Sequence, residues 1–408
     1  VEKQIMVMKN TSFIKNTGVK ICMVVFLSVA GFSSCRKELT QANSATSYPA
    51  SNLSDIFESF WNGMNNNYVF WSIDTTNWDR VYTTYKPLFA KLNLLDSTDN
   101  VTAVNYFQQM TAGLIDSHYD LTFSTLGYEI SPSYNRKIAI DNVTPDSIYS
   151  LPSDMFTRLI PNNYIDASSL KKGVDTINFD GSTTAFTAVS GTIQNKILYL
   201  YFSDFAFGYA STNVLPVLNY FFNKVAALPA NIKGIIIDVR GNGGGEITDL
   251  DYLLGSMITK PLTFGYTRSK NGNGRLDYTP WAPAIVTPQP GAVNITVPII
   301  ALADHTSVSM AEMTAMAIKT LPNGRFVGTT TWGANGPLAP QVYYNSGQFT
   351  VGSYLSVYTS SSMFKYLDGT IYEGKGVPPD IFAKETNAAY SSNVDLQLNA
   401  AITYINAH

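Results

Sequence analysis

Gly234-Ile235-Ile236-Ile237-Asp238-Val239-Arg240-Gly241-Asn242-Gly243-Gly244-Gly245 is the stretch that decides the fold. A short, unbroken apolar run reads as a strand buried on both faces, which places it in a parallel sheet covered by helices. It ends in four glycines within five residues, a backbone free to take positive φ and to turn bare N–H groups toward a ligand. The dinucleotide fingerprint fails on spacing, because Glu246 stands where the third glycine is needed, and no lysine follows to make a phosphate loop. An amide nest here suits the oxyanion of acyl transfer, although glycine content alone fits a plain turn as well.

Ile197 to Phe202 reads as a second buried strand and Val297 to Ala303 as a third. Between them Leu218, Phe221, Phe222, Val225 and Leu228 share one helical face, and the chain after Ser309 is again helical. Strands alternating with helices predict an α/β core over 191–408. Upstream, Ile56, Phe57, Phe60, Trp61 and Met64, then Trp78, Val81, Tyr82, Tyr85 and Leu88, then Ala103, Phe107, Met110 and Leu114 repeat at helical spacing. They predict a helical domain over 53–120, opened by a capping box of Asp55 and Glu58. Residues 121–190 carry Pro145, Pro152 and Pro161 without a sustained period and read as an irregular β-rich segment. Lys270-Asn271-Gly272-Asn273-Gly274-Arg275 reads as an exposed loop that covers the site.

The chain has 408 residues, 45% hydrophobic and 14% charged, which is too apolar for disorder. Its net charge of -3 offers no basic field for nucleic acid. Two cysteines are too few for a disulfide framework or a four-thiolate zinc site. Residues 1–34 read as a signal peptide: Lys9, Lys15 and Lys20, a short apolar run from Ile21 to Ala30, then Ser33-Ser34 before Cys35. The run is about half of the ~20 apolar residues that a spanning helix needs. Gly31-Phe32-Ser33-Ser34-Cys35 resembles the lipobox of bacterial lipoproteins, in which the cysteine is acylated; an ordinary signal peptide with an incidental cysteine is the alternative. Residues 35–52, rich in Ser, Thr, Ala and Asn, predict a flexible tether. Cleavage before Cys35 leaves 23 basic against 29 acidic residues, a net charge of -6 on an exported, lipid-anchored body.

Asp304-His305-Thr306-Ser307-Val308-Ser309-Met310-Ala311-Glu312 carries the chain from a buried strand through a serine-rich turn into a helix. A serine there sits at a helix N-terminus, where negative charge near its oxygen is favoured, although serines in this place commonly serve as plain caps. A nucleophile needs a base, and the chain has three histidines. His408 is the last residue, His305 is held too close to the serines by a short turn, and His118 lies in Asp116-Ser117-His118 at the junction after the helical domain. His118 is therefore the best placed base for acyl transfer.

Four landmarks in order resemble the S41 serine peptidases, the family of the tail-specific C-terminal processing proteases and the tricorn core protease. They are the 234–245 stretch, Thr306-Ser307-Val308-Ser309-Met310-Ala311-Glu312, Val327-Gly328-Thr329-Thr330-Thr331-Trp332-Gly333, and Tyr372-Glu373-Gly374-Lys375-Gly376-Val377-Pro378-Pro379-Asp380-Ile381. The resemblance implies a ClpP/crotonase-like α/β core behind an N-terminal helical domain, no cofactor and no metal. It implies Ser309 as nucleophile, His118 as base, Ser117 and Glu373 as its support, and the amides of Gly243 or Gly244 and of Met310 as oxyanion donors. The lysine of the processing branch is absent, since Gly333-Ala334-Asn335-Gly336 stands at that place, so the tricorn-like constellation is the one implied. No PDZ-like carboxylate loop is evident in 126–190, and β-augmentation is a substitute way to hold a peptide or unfolded protein substrate. The alternative is a catalytically inactive relative that binds a peptide or other ligand in the same groove.

Overall fold

The computed structural model describes residues 47–48, 50–133, 154–179, 181–339 and 343–408; the predicted leader, Cys35 and most of the tether lie outside the described residues. In chain order the strands are β1 (Ser47–Tyr48), β2 (Asp120–Phe123), β3 (Tyr128–Ile130), β4 (Lys171–Phe179), β5 (Ser182–Ile193), β6 (Ile197–Phe202), β7 (Gly234–Asp238), β8 (Leu262–Ser269) and β9 (Ala282–Val286). β10 (Ile299–Ala303), β11 (Gly324–Gly328), β12 (Phe349–Val351), β13 (Leu355–Tyr358), β14 (Ser362–Tyr366) and β15 (Ile381–Phe382) follow. The principal helices are α1 (Leu53–Asn67), α2 (Trp78–Phe89), α3 (Ser97–Thr111), α4 (Val214–Ala227), α5 (Thr248–Leu253), α6 (Met310–Thr320) and α7 (Leu396–Ala407).

The main sheet runs β15-β11-β10-β7-β6-β5-β4, parallel from β15 to β6 and antiparallel from β6 to β4. The deciding stretch lies in its middle, as a run buried on both faces should. Ile235 and Ile237 point into a cluster with Leu198, Leu200, Ala301, Phe221 of α4 and Met316 of α6. Ile236 points the other way, to Tyr199, Ile300, Leu302 and Leu398 of α7. Register matters for the site: Leu302 pairs with Asp238 and Ala303 with Gly328. The parallel strands β7, β10 and β11 thus end level, and the loops after them meet at the carboxyl edge, where open α/β sheets bind ligands.

The helical segment is not self-contained. Its apolar face, with Phe57, Phe60, Trp78, Phe89 and Phe107, packs on a second sheet ordered β1-β12-β13-β2-β3, so strands from residues 349–358 complete its core. α1 is capped by Asn52, whose Oδ1 accepts from Asp55 N at 2.9 Å, rather than by the expected box of Asp55 and Glu58. The described part of 121–190 is also more regular than expected. β4 and β5 form a nine-pair hairpin that extends the main sheet, and the expected 190/191 boundary falls inside β5. Thr-rich alternation hid this hairpin because one of its faces stays open to solvent, which dilutes the apolar period. The 270–275 loop is fastened rather than free: Lys270 is buried with Nζ donating to Gly274 O at 2.6 Å, and Arg275 pairs with Asp79 and Asn65 of the helical segment. No helix among the described residues is long and apolar enough to cross a membrane.

Candidate active site

Three loops and one turn build the site. The glycine loop follows β7, the serine turn follows β10, residues 329–336 follow β11, and Asp116-Ser117-His118 arrives from the helical segment. Ser309 is the N-cap of α6 with φ 55 and ψ -115, a left-handed conformation that a serine adopts only under constraint. Strained turns of this kind aim a side chain outward from the end of a strand, and such strain gathers at functional sites. The turn is over-determined. Glu312 Oε2 accepts from Ser309 N at 3.1 Å, Val308 N donates to Asn242 O at 3.0 Å, and Ser307 Oγ donates to Val239 O at 2.8 Å.

The glycine loop lies directly against the serine. A Cβ on Gly244 would come 2.6 Å from Ser309 Cβ and 3.1 Å from both Ser309 Oγ and Met310 N. Of the amides singled out in the sequence, Gly244 N is taken, because it donates to Asn242 Oδ1 at 2.8 Å. The amides of Gly243 and Met310 engage no protein acceptor among the described residues, which makes them the pair available to an oxyanion. Gly244→Ala is expected to lower kcat about 10^2- to 10^3-fold, the loss typical of a disturbed oxyanion site. The residue combines φ +96 with that close approach, so the new methyl must push the serine away. Initial-rate kinetics on the folded variant check this, and activity near the parent's would contradict it.

His118 faces inward through Nδ1, which is buried without a hydrogen-bond partner, while its main-chain N donates to Asp116 Oδ1 at 2.9 Å. One nitrogen of His118 and one oxygen each of Asp116 and Glu373 lie within 4.8 Å of one another. Burial pushes the imidazole pKa below its ordinary 6.5, with the Asp116 carboxylate opposing, so the ring is neutral and basic at pH 7. No hydrogen bond joins Ser309 Oγ to His118 in this structure; in unliganded sites such contacts are commonly long.

Glu373 does not bond the imidazole. Its Oε1 accepts from Ser117 N at 2.7 Å, and its Oε2 from Asn335 N at 2.7 Å and Gly336 N at 2.8 Å. Burial, then the charge of Asp116, push its carboxyl well above the usual range, and the amides oppose that push. Its observed contact is thus with the backbone of the Ser117-His118 turn and of the 335–336 loop. Asp116 and Glu312, to which the sequence reading assigned no role, complete the frame. Asp116 accepts from His118 N, Ser360 N, Ser360 Oγ and Thr359 Oγ1. Glu312 accepts from Ser309 N, Gly333 N, Ala334 N and Thr331 Oγ1. Their signal was present, in Asp116-Ser117-His118 and in the glutamate three places after Ser309, but their partners are far away in sequence. Asp116, His118 and Glu373 are also the set that could offer ligand atoms to a metal. Seven protein donors already occupy the two carboxylates, so coordination would have to displace that frame.

A strained serine on a helix N-terminus, beside unengaged amides and within one frame of buried carboxylates and a histidine, has the parts that acyl transfer requires. Residues 196–383 match the model of peptidase family S41. It is similar to tricorn protease of Thermoplasma volcanium, 30% identical over 189 residues that make up 46% of this chain and 16% of that one. It is similar also to the nisin-resistance protein of Lactococcus lactis subsp. lactis, 26% identical over 183 residues, 40% of this chain and 50% of the relative. The chain thus spans half or less of these relatives. A solved structure of a candidate peptidase from Parabacteroides merdae shares the fold with a TM-score of 0.63 and 22% identity, covering 87% of this chain and 97% of that one.

Proposed function

We propose that the protein is a serine peptidase that cleaves peptides or unfolded protein segments through an acyl-enzyme on Ser309. The observation that carries this reading is the approach of the glycine loop to Ser309, which puts the unengaged Gly243 and Met310 amides beside a strained serine. In the proposed reaction His118 Nε2 takes the Oγ proton as Oγ attacks the scissile carbonyl, and the two amides receive the negative oxygen. His118 then passes the proton to the leaving amine; a water, deprotonated by the same nitrogen, attacks the ester, and His118 returns that proton to Oγ as the C–O bond breaks and the carboxylic acid product leaves. Glu373 and Asp116 keep the Ser117-His118 turn in place, and the charge of Asp116 favours the imidazolium that forms between the two proton transfers. No lysine takes part, in keeping with Ala334 at the place where the processing branch carries one. The leader, Cys35 and the tether support an exported, lipid-anchored enzyme in a bacterial envelope.

Incubation of the purified chain with an unfolded protein or a fluorogenic peptide tests this. Hydrolysis is expected, with kcat/KM falling on the acid side along a limb whose midpoint lies below 6.5. The sign follows from the neutral imidazole being the active form and from burial lowering its pKa. An acid limb centred above 6.5 contradicts the assignment of His118 as base, and no cleavage by folded protein across substrates favours the inactive ligand-binding alternative.

A further inference from the structure

Asn335 is 1% exposed, yet its side-chain Nδ2 and Oδ1 both lack a hydrogen-bond partner. Leaving a buried amide unsatisfied costs about 1–3 kcal/mol per group, so two orphaned atoms on one side chain call for an explanation. The surroundings supply one. Asn335 lies between the residue whose N–H holds Glu312, Ala334, and the residue whose N–H shares Glu373 with its own, Gly336. A Cβ on Gly336 would come 2.3 Å from Ser360 Oγ, which is bonded to Asp116, so this loop passes between the carboxylate holding the serine turn and those holding the histidine turn. The Asn335 side chain lies beside Glu312, where it is one of the groups that oppose the upward push of burial on that carboxyl.

The third orphan in this frame is His118 Nδ1. A catalytic imidazole needs an acceptor at that nitrogen to fix its tautomer, with Nε2 left bare for the nucleophile's proton. Asp116 already accepts four bonds, which fills a carboxylate. Glu373 accepts three and retains one lone-pair site on Oε1. The Asn335 carbonyl is unused. We infer that Asn335 is a positioning residue for the base, its Oδ1 accepting the Nδ1–H of His118 in the reacting site. This rests on the peptidase reading and adds to it an amide acceptor of the kind found in Cys-His-Asn sites.

Nitrogen-15 NMR of the imidazoles tests the inference apart from catalysis, since the chain has only three histidines and His305→Gln and His408→Gln variants assign the signals. The parent is expected to show neutral His118 as the Nδ1–H tautomer. Asn335→Ala is expected to shift that population toward Nε2–H and to lower kcat about 10- to 100-fold with little change in KM, part of the ~10^2–10^4 that a general base supplies. Asn335→Asp keeps an oxygen in place and adds a carboxyl to those of Asp116, Glu373 and Glu312. It is expected to retain the Nδ1–H tautomer and to move the His118 titration to higher pH, which loss of packing alone does not do. An unchanged tautomer in folded Asn335→Ala overturns the inference; should that variant not fold, an unchanged titration in Asn335→Asp does so. If the parent fails to cleave any substrate while the imidazole responds as stated, the peptidase reading falls and the Asn335–His118 contact stands.

Discussion

Ser309→Ala is expected to reduce kcat/KM for peptide hydrolysis by about 10^4- to 10^6-fold, the range seen when the nucleophile of a cooperating set is removed. His118→Ala should lose about as much, and the double variant little more, because neither group works without the other. The fold should survive both changes. Ser309 is half-buried, and the serine turn is also held through main-chain groups by Glu312 and Asn242, which the substitution leaves in place. Thermal unfolding alongside initial rates separates lost chemistry from lost structure. Residual activity above a few per cent in well-folded Ser309→Ala would place the nucleophile elsewhere.

Arg240→Ala is expected to destabilise the protein by about 3–5 kcal/mol, the loss that follows when one member of a buried ion pair is removed. The guanidinium is fully buried and all five of its N–H groups are used: Nε and one Nη2 proton on Asp238, one proton from each of Nη1 and Nη2 on Asp395, and the last Nη1 proton on Gln397. Asp395 caps α7, so the same side chain ties the end of β7, from which the glycine loop departs, to the C-terminal helix. Its removal leaves Asp238 and Asp395 buried without their cation. Chemical denaturation measures the effect, and a loss under about 1 kcal/mol would show that water or rearrangement satisfies both carboxylates. Arg240→Lys should recover little, since an ammonium cannot span two carboxylates and an amide in one plane.

The parts of the molecule that were legible in the sequence are those where one local pattern meets one local cause. Ile235-Ile236-Ile237 reads as a two-sided strand because both faces of the main sheet are covered, and Ser309 reads as a helix start because α6 begins at Met310. The β4–β5 hairpin was not legible, since its exposed threonines mask the period, and neither was the sheet that β12 and β13 lend to the helical segment. Within the site, residue types pointed to Ser309 and His118, and the family resemblance alone to Glu373, yet the bonds that Glu373 makes lie with main-chain amides. Spacing carries no record of which lone pair is filled. For the same reason Asn242 passed unnoticed, although it holds Gly244 N and leaves Gly243 as the free glycine amide, and so did Asn335.

Active-site labelling of the folded protein with a fluorophosphonate, followed by peptide mapping, tests the central claim most directly. One adduct per chain on the peptide bearing Ser309 is predicted, abolished by Ser309→Ala and slowed at least a hundredfold by His118→Ala, in line with the ~10^2–10^4 that a general base contributes. Absence of an adduct on folded protein, or an adduct that persists in Ser309→Ala, would contradict it.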